Sequence, residues 1–516
     1  MLVPYACETY QNWSDPAVQE KAKEALALVT SQLGREYPLL IDGERITTVD
    51  KIKSINPSKT TEVVGYVSKA DKILAQRAIA AADEAFESWR KVSPRTRAEY
   101  LFKAAAIIRR RKFEFAAWEV LEEGKTWPEA DGDVCEAIDF LEFYGRQMIE
   151  LSKPKELVRI PHEDNEVEYI PLGVGAVIPP WNFPLAILVG MTTAALVSGN
   201  TVVLKPASPA VVVAAKFVEV LEEMNLPKGV VNFVPGSGSE IGDYIVDHPR
   251  VRFISFTGSK EVGIRIHERA AKINKGQIWL KRVVLEMGGK DAILVDDKVF
   301  DFDFMIDEIA RAAFGFQGQK CSACSRLIVH KDMYDKVLDA LIKRVNQITV
   351  GESKEFKNFM GPVIDKAAFD KIVSYIKIGA NEGRVVCGGT YDDSVGYFIQ
   401  PTVIADVKRD ARIANEEIFG PVLAVLKVDS FEEGMDIVNS TEYGLTGSIF
   451  SSRREHLEIA KRDFHVGNLY LNKRCTGALV GVHPFGGFNM SGTDSKAGGF
   501  DYLLLFTQAK SISERM

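Results

Sequence analysis

Short apolar runs rich in Val and Ile alternate with amphipathic segments from about residue 172 onward. Such runs occupy residues 174–178, 201–204, 230–234 and 251–256, and each precedes a segment in which apolar positions have helical spacing. Buried parallel strands read as continuous apolar runs, and a helix carries the chain back between them. The alternation therefore predicts βαβ units and a parallel sheet with helices on both faces.

A second region with the same pattern follows. Apolar runs at 292–295, 326–329, 422–426 and 468–471 predict its strands, and amphipathic segments separate them. The two regions together predict an α/β fold with two interleaved parallel-sheet domains. The residues 286–290 lie near the seam between them.

The first third of the chain is different, because it is rich in long amphipathic segments. Runs near 70–90, 95–123 and 129–151 predict helices, which we expect to form an outer layer. The stretch 185–197 is the most apolar of the chain, but it is shorter than a membrane span of about 20 residues and predicts a buried helix. A polar hairpin is expected near 152–170.

Composition and charge narrow the functional classes. The 516 residues are 46% hydrophobic, enough for more than one core, and the net charge of −7 gives no field that attracts nucleic acid. The basic run 109–112 lies in a predicted helix, where a salt-bridged face is the favoured interpretation. Six scattered cysteines do not form a disulfide framework, and the N-terminal segment lacks an export signal. We therefore expect a cytoplasmic protein without a membrane role.

Cys321 is the strongest candidate for chemistry. Small residues surround it, including Gly318, Ser322 and Ala323, and Glu286 lies upstream in Glu-Met-Gly-Gly-Lys. A thiolate can attack an electrophilic carbon while a carboxylate moves protons. Taken alone, however, a cysteine beside glycine is more often a small core residue.

The loops that follow the predicted strands point to a nucleotide. Ligands of open parallel sheets bind at the carboxyl ends of the strands, where helix N-termini also converge. Here those loops are Pro-Pro-Trp-Asn-Phe-Pro (179–184), Lys-Pro-Ala-Ser (205–208) and Thr-Gly-Ser-Lys (257–260). The backbone amides of Gly258 and Ser259 can approach a diphosphate. The regular G-x-G-x-x-G fingerprint is missing, since the glycine-rich run 236–242 has its third glycine one position late.

Six motifs in a fixed order resemble the NAD(P)-dependent aldehyde dehydrogenase superfamily over nearly the whole chain. They are Pro-Trp-Asn-Phe-Pro (180–184), Lys-Pro-Ala (205–207), Phe-Thr-Gly-Ser (256–259), Glu-Met-Gly-Gly-Lys (286–290), Gly-Gln-Lys-Cys (318–321) and Glu-Glu-Ile-Phe-Gly-Pro-Val (416–422). The resemblance implies a variant Rossmann cofactor domain, a catalytic domain and an oligomerisation β-flap. We assign 1–150 and 171–286 to NAD binding, 287–490 to catalysis, and 151–170 and 491–516 to oligomerisation.

The resemblance also implies the roles of individual residues. Cys321 would form a thiohemiacetal with an aldehyde, Asn182 would stabilise its oxyanion, and Glu286 would activate the water that hydrolyses the thioester. NAD would be the cofactor. Its expected binding residues are Pro180, Trp181, Lys205, Ala207, Ser208, Gly258, Ser259, Glu417 and Phe419. Family members that exclude NADP often carry Glu where Ser208 stands, so tolerance of NADP is left open.

The late loop 472–488 resembles the anchor loop of the subgroup that oxidises L-glutamate γ-semialdehyde to L-glutamate in proline degradation. Backbone amides in a glycine-containing bend form a natural carboxylate nest. The substrate-binding residues expected on this basis are Glu136, Phe183, Ser322, Gly477, Ala478 and Phe485. The superfamily pairs subunits through its β-flap, so we expect a homodimer or a larger assembly of dimers. A separate proline dehydrogenase is a further partner to consider.

Four alternatives remain at this point. They are a dehydrogenase for another semialdehyde such as succinate semialdehyde, an enzyme that passes its thioester to coenzyme A, a silent structural homologue, and a cysteine hydrolase without cofactor. A metal site is not expected, because the seven histidines are scattered and Cys321 and Cys324 form only one C-x-x-C. Cys324 is expected to be a packing residue.

Overall fold

A computed structural model describes residues 2–516, and within this range the chain forms 15 α-helices and 23 β-strands. The helices are α1 (Pro16–Thr30), α2 (Lys72–Trp89), α3 (Pro94–Arg110), α4 (Lys112–Glu122), α5 (Trp127–Leu151), α6 (Ala186–Val197), α7 (Val211–Glu223), α8 (Asp243–Asp247), α9 (Lys260–Ala270), α10 (Phe302–Phe314), α11 (Lys331–Val345), α12 (Lys366–Glu382), α13 (Arg412–Asn415), α14 (Phe431–Val438) and α15 (Arg454–Asp463). The strands are β1 (Arg35–Tyr37), β2 (Leu39–Ile41), β3 (Glu44–Ile46), β4 (Lys51–Ile55), β5 (Val63–Ser68), β6 (Glu163–Pro171), β7 (Val174–Ile178), β8 (Thr201–Leu204), β9 (Val231–Phe233), β10 (Val251–Thr257), β11 (Arg282–Glu286), β12 (Ala292–Val295), β13 (Arg326–His330), β14 (Arg384–Cys387), β15 (Tyr391–Asp392), β16 (Phe398–Ile399), β17 (Thr402–Ala405), β18 (Val422–Val428), β19 (Tyr443–Gly444), β20 (Thr446–Phe450), β21 (Asn468–Leu471), β22 (Phe488–Asn489) and β23 (Thr507–Arg515).

The first large sheet has seven strands in the order β11-β10-β7-β8-β9-β2-β3. Its five strands from β7 to β11 are parallel, and β2 and β3 extend it in antiparallel fashion. The chain runs outward from β7 in one direction and later returns to β10 on its other side. Ligands of open α/β sheets bind beyond the carboxyl ends of strands at such a reversal.

The second large sheet has the order β14-β17-β18-β13-β12-β20-β21. All neighbours are parallel except β14, which is an antiparallel edge strand. Only residues 287–291 separate β11 of the first sheet from β12 of the second. The predicted α/β class with two parallel sheets is therefore confirmed, and the seam lies where the sequence indicated it.

The helices of the first third differ from the expectation in two respects. The predicted run 95–123 is two helices, α3 and α4, because Arg111 leaves the helical region with φ −96° and ψ 17°. The expected outer layer is wrong for α4 and α5, whose side chains are mostly buried in one large core with α6 and α7. The apolar helix α6 lies in the same core, as its composition predicted.

The predicted hairpin near 152–170 is also wrong. Its second half forms β6, but the partner is the terminal strand β23, and the two pair antiparallel from Thr507 opposite Pro171 to Arg515 opposite Glu163. The alternating polar pattern of β6 indicated a strand, but it carried no information about a partner more than 300 positions away.

The basic run 109–112 forms ion pairs, as predicted. Arg109 pairs with Glu142 at 3.2 Å and Lys112 with Asp131 at 3.0 Å, while Arg110 pairs with Glu223. Within residues 2–516, no helix is both long and apolar enough to cross a membrane.

Candidate active site

Three loops bring the predicted catalytic residues to the space between the two large sheets. Glu286 ends β11, Asn182 follows β7, and Cys321 precedes β13 of the second sheet. The side-chain amide of Asn182 donates a hydrogen bond to the carbonyl of Gln319 at 3.1 Å. The carboxyl ends of the first sheet thus meet the loop that enters the second sheet.

The loop before the cysteine has an unusual backbone. Phe316, Gln317 and Gly318 have φ values of 48°, 56° and 66°, a left-handed region that is costly for residues with a side chain. The Gln317 side chain holds this bend, because it donates to the carbonyls of Gly124 at 3.0 Å and Pro362 at 2.7 Å. The geometry places the partly exposed Cys321 at the end of a rigid turn.

The electrostatic environment keeps the Cys321 thiol protonated. Burial, followed by the nearby carboxyl groups of Asp291, Glu286 and Glu417, raises the pKa of Cys321 well above its ordinary value. A neutral thiol is a weak nucleophile. Attack on a carbonyl carbon therefore requires a base that accepts the thiol proton.

Glu286 has the properties of such a base. Its carboxylate accepts a hydrogen bond from the Ser495 hydroxyl, and its Oε2 has no protein partner among residues 2–516. Burial is the main cause that raises the pKa of Glu286 to about 8, although Ser495 and Lys496 oppose it. A carboxylate with this pKa can exchange protons near neutral pH. Its role in the reaction stays a prediction.

Asn182 is buried, and only one of its two amide hydrogens is used by Gln319. A second N–H remains for an oxygen that develops negative charge beside Cys321. Fixed donors in a water-poor site stabilise such charge strongly. This arrangement supports the oxyanion role, which also stays a prediction.

Several predicted cofactor residues lie together at the mouth of this space. The ring centroids of Trp181 and Phe419 are 5.6 Å apart, and the Gly289 amide donates to Glu417 Oε1 at 3.1 Å. Gly288 packs so closely on the Glu417 carboxylate that a Cβ would not fit. The loops of both sheets therefore contribute to one surface, beside Pro180.

The residues predicted to bind the adenosine and diphosphate parts of NAD have contacts that support this role to different degrees. Lys205 is buried, burial lowers its pKa to about 8, and its ammonium has only a weak contact with a backbone carbonyl at 3.4 Å. A buried amine without a carboxylate partner fits a position for ribose hydroxyls. The Gly258 amide donates to the carbonyl of Glu286 at 3.0 Å and is thus already occupied, whereas Ser259 caps α9. Ser208 is exposed beside Ala207.

The late loop has the free donors that its sequence predicted. Gly477 has φ 82°, and the backbone amides of Gly477 and Ala478 donate to no protein acceptor within residues 2–516. Cys475 connects this loop to the catalytic turn, because its Sγ lies 3.5 Å from the carbonyl of Ser322. A negatively charged group could therefore bind two amides close to Cys321.

The contacts of the other predicted substrate residues support their roles to different degrees. Phe485 is held by paired backbone bonds with Ala497 at 2.9 and 2.8 Å, and Phe183 packs on the main core. Glu136 lies on α5, and its carboxylate has no hydrogen-bond partner in the described part of the chain. Burial is the main cause that raises the pKa of Glu136 to about 8.

Three residues of the site were missed by sequence reasoning. Ser495 contacts the proposed base, Asp291 lies beside the thiol, and the Gln319 carbonyl holds Asn182. Gln319 lies within the Gly-Gln-Lys-Cys motif and Asp291 directly follows Glu-Met-Gly-Gly-Lys, so their position was a usable signal. Ser495 lies 209 positions from Glu286 and is an ordinary serine in a loop, so nothing local marked it.

The sulfur chemistry is simple. Cys324 is buried in the core of the second sheet, which confirms its assignment as a packing residue. All six cysteines are free thiols, and the described residues contain no group of three or more His, Cys, Asp or Glu side chains suited to a metal ion.

Known proteins resemble this chain over most or all of its length. The family model described as "Aldehyde dehydrogenase family" matches residues 45–512. A protein of Bacillus cytotoxicus named 1-pyrroline-5-carboxylate dehydrogenase is 60% identical over 516 residues, which cover 100% of both chains. A crystal structure of 1-pyrroline-5-carboxylate dehydrogenase from Thermus with bound NAD has a TM-score of 0.98 at 50% identity and 100% coverage of both chains.

A longer structure is also similar. Proline utilization A from Bdellovibrio bacteriovorus has a TM-score of 0.98 at 42% identity, and the match covers 99% of this chain and 53% of that chain. The match to the family model over residues 45–512 and the identity to full-length relatives lead to one conclusion: this chain belongs to the aldehyde dehydrogenase family.

Proposed function

We propose that this protein oxidises L-glutamate γ-semialdehyde, the open form of 1-pyrroline-5-carboxylate, to L-glutamate while NAD is reduced. The observation that carries the substrate is the pair of free amides at Gly477 and Ala478 beside the catalytic turn. Full-length relatives named 1-pyrroline-5-carboxylate dehydrogenase support the reaction, and the NAD-bound Thermus structure supports the cofactor.

The chemistry begins at Cys321. Its sulfur adds to the aldehyde carbon as the thiol proton passes to Glu286, and the resulting oxyanion accepts hydrogen bonds from Asn182 and from the Cys321 backbone amide. When bound, NAD supplies the acceptor for the hydride that this carbon loses as the thioester forms.

Hydrolysis then releases the product. Glu286, deprotonated again, removes a proton from water as the oxygen adds to the thioester carbon. The same oxyanion donors stabilise the second tetrahedral adduct, and its collapse breaks the carbon–sulfur bond and restores the thiol. The same pair of donors would thus serve both steps.

Substrate recognition follows from the charges that line the site. The α-carboxylate would bind the amides of Gly477 and Ala478, with the Ser322 hydroxyl beside them. The Glu136 carboxylate would face the α-ammonium, and an ammonium nearby would favour its ionised form despite burial. Phe183 and Phe485 would pack on the methylene groups.

The assembly, location and partners are proposals of the same kind. A homodimer, or a larger assembly of dimers, would form through the β6–β23 sheet, whose strands are largely exposed. The scattered cysteines favour the cytosol. The similarity to proline utilization A supports a separate proline dehydrogenase as the source of the substrate.

The substrate proposal is tested by NADH formation with L-glutamate γ-semialdehyde, succinate semialdehyde and propionaldehyde. We expect kcat/KM to be highest for the first by about tenfold or more, because only it can use both the carboxylate nest and Glu136. A preference for succinate semialdehyde would keep the carboxylate nest and remove the amino-acid substrate. A preference for propionaldehyde would remove both.

The nucleophile is tested by Cys321→Ala. This variant should lose NADH formation completely while it binds NAD with an affinity within about twofold of the parent, since the thiol reacts with the aldehyde and not with the cofactor. Ser322→Ala serves as the control, because it removes a hydroxyl next to the sulfur and leaves the nucleophile. Turnover by Cys321→Ala would remove the assignment.

A further inference from the structure

We propose that Lys125 is a positioning residue for aldehyde oxidation: its buried ammonium lies against the rings of Phe183 and Phe316 and sets the spacing between the loops that carry Asn182 and Cys321. The inference rests on the proposed roles of those two residues. Lys125 belongs to neither loop, and it touches neither the thiol nor any predicted cofactor residue.

Lys125 is buried as part of an ion pair. Its Nζ lies 2.7 Å from Asp133 Oδ2 and 3.2 Å from Glu119 Oε2, and all three side chains are at most 1% exposed. Burial opposes the charged amine, but Asp133 and Glu119 outweigh it and raise the pKa of Lys125 above its ordinary value. Burial, followed by Asp133, raises the pKa of Glu119 well above its ordinary value.

The ammonium also contacts two aromatic faces. Its distance is 4.6 Å to the ring centroid of Phe183 and 5.0 Å to that of Phe316. Both distances are within the range of cation–π attraction, which strengthens when water is excluded. Phe183 directly follows Asn182, and Phe316 begins the left-handed turn that leads to Cys321. One charge therefore attracts a residue from each of the two catalytic loops.

Backbone contacts extend the same connection. Asp133 Oδ1 accepts from the Ala186 amide at 2.8 Å, which fixes the start of α6 at the end of the Asn182 loop. The carbonyl of Gly124, the residue before Lys125, accepts from the Gln317 side chain at 3.0 Å. The segment between α4 and α5 and the first turns of α5 together thus hold both loops at once.

This arrangement has a kinetic consequence. The distance from an oxyanion donor to the oxygen that gains negative charge affects the barrier far more than it affects the binding of a cofactor. Loss of the central charge should therefore lower kcat and leave the affinity for NAD unchanged. A residue that only stabilised the core would change neither.

The test uses Lys125→Met combined with Asp133→Asn, which removes both charges at similar volume and avoids an uncompensated buried carboxylate. With L-glutamate γ-semialdehyde we expect kcat to fall by about tenfold or more, while KM for NAD stays within about twofold. A folded variant whose kcat stays within about twofold of the parent would overturn the proposal.

Lys216→Met is the matched control. Lys216 is also buried, pairs with Glu219 at 2.8 Å, and lies 4.9 and 5.0 Å from the rings of Tyr37 and Trp118. These contacts are remote from both catalytic loops. Its kcat should match that of the parent, and an equal loss of kcat in this control would also overturn the proposal.

A second variant applies if the double variant does not fold. Phe316→Leu removes one ring face, keeps the ion pair, and leaves the left-handed backbone with a side chain of similar bulk. We expect kcat to fall by about threefold or more at unchanged KM for NAD, and an unchanged kcat would overturn the proposal. Cys321→Ala measured in parallel separates the outcomes, because turnover in that variant would defeat the proposed function itself.

Discussion

The thiol of Cys321 lies among three carboxyl groups, those of Asp291, Glu286 and Glu417. Such surroundings oppose a free thiolate, so the sulfur reacts only when its proton is taken at the same time. A neutral resting thiol is also less open to oxidation and alkylation. The three carboxyl groups thus raise the pKa of the thiol, and one of them, Glu286, is also the proposed base.

Glu286→Gln should slow both halves of the reaction, because Glu286 is the proposed acceptor of the thiol proton and later of the water proton. The amide keeps the shape and can still accept the bond from Ser495, but it cannot remove a proton from water. NADH formation in the first turnover and in the steady state should both slow by about 10²-fold or more, so rapid mixing should show no NADH burst at the parental rate. Linear NADH formation at the parental rate would contradict the assignment.

Ser495→Ala should change the pH dependence of hydrolysis. The Ser495 hydroxyl lowers the pKa of Glu286 against the effect of burial, and Lys496 acts in the same direction while Asp494 opposes it. Removal of the hydroxyl should raise this pKa further above about 8. Because the ionised form is the active base, the rising limb of kcat should move to higher pH.

The measurement is a kcat profile from about pH 6 to about pH 10. Ser491→Ala is the control, since Ser491 is a buried serine of the same segment whose hydroxyl accepts from the Gly444 amide instead. Its profile should coincide with that of the parent. Coincident profiles for all three proteins would contradict the coupling.

At the scale of elements, local pattern predicted most of both sheets. The strands β7, β8, β12 and β21 have the predicted bounds, because each is a continuous apolar run between turn residues. Six strands of the two large sheets were missed: β2, β3, β11, β14, β17 and β20. In β20, Gly and Ser interrupt the apolar run while its neighbours in the sheet bury it.

The site was predictable to the extent that it lies in motifs. Cys321, Glu286 and Asn182 are each in a distinctive segment, and the structure brings these segments together. The contacts of Ser495 and Lys125 were not predictable, because each depends on a partner from another element. Lys125 follows a turn glycine, and nothing local distinguishes it from an exposed lysine.

Insertion of one glycine after Gly477 tests the anchor loop. The insertion should displace the amides of Gly477 and Ala478, so KM for L-glutamate γ-semialdehyde should rise by about tenfold or more while propionaldehyde is affected much less. A glycine inserted in the exposed turn between β15 and β16 is the control. Equal losses for both aldehydes would argue against a carboxylate nest.

At the scale of the whole molecule, the residues of the candidate site come from loops of two different sheets. The first sheet carries Asn182 and Glu286, the proposed oxyanion donor and base, and the second carries Cys321, the proposed nucleophile, on the turn before β13. Contacts such as Trp181 with Phe419 and Asn182 with Gln319 join them. The proposed catalysis therefore depends on the relative position of the two sheets.

Deletion of residues 508–516 tests the proposed subunit contact. The deletion removes nearly all of β23, so β6 loses its partner, while Thr507 and its carbonyl contact with Arg282 at 2.8 Å remain. Light scattering should show a shift from dimers, or assemblies of dimers, to monomers. Circular dichroism checks that the rest is folded, and an unchanged mass would place the contact elsewhere.

The contact between Ser495 and Glu286 has a consequence for how the protein is made. Synthesis places the nucleophile and the base in the growing chain long before residue 495 is added. The base acquires its hydroxyl partner only in the final stage of translation. A chain that ends before residue 495 therefore lacks the hydroxyl that lowers the pKa of Glu286.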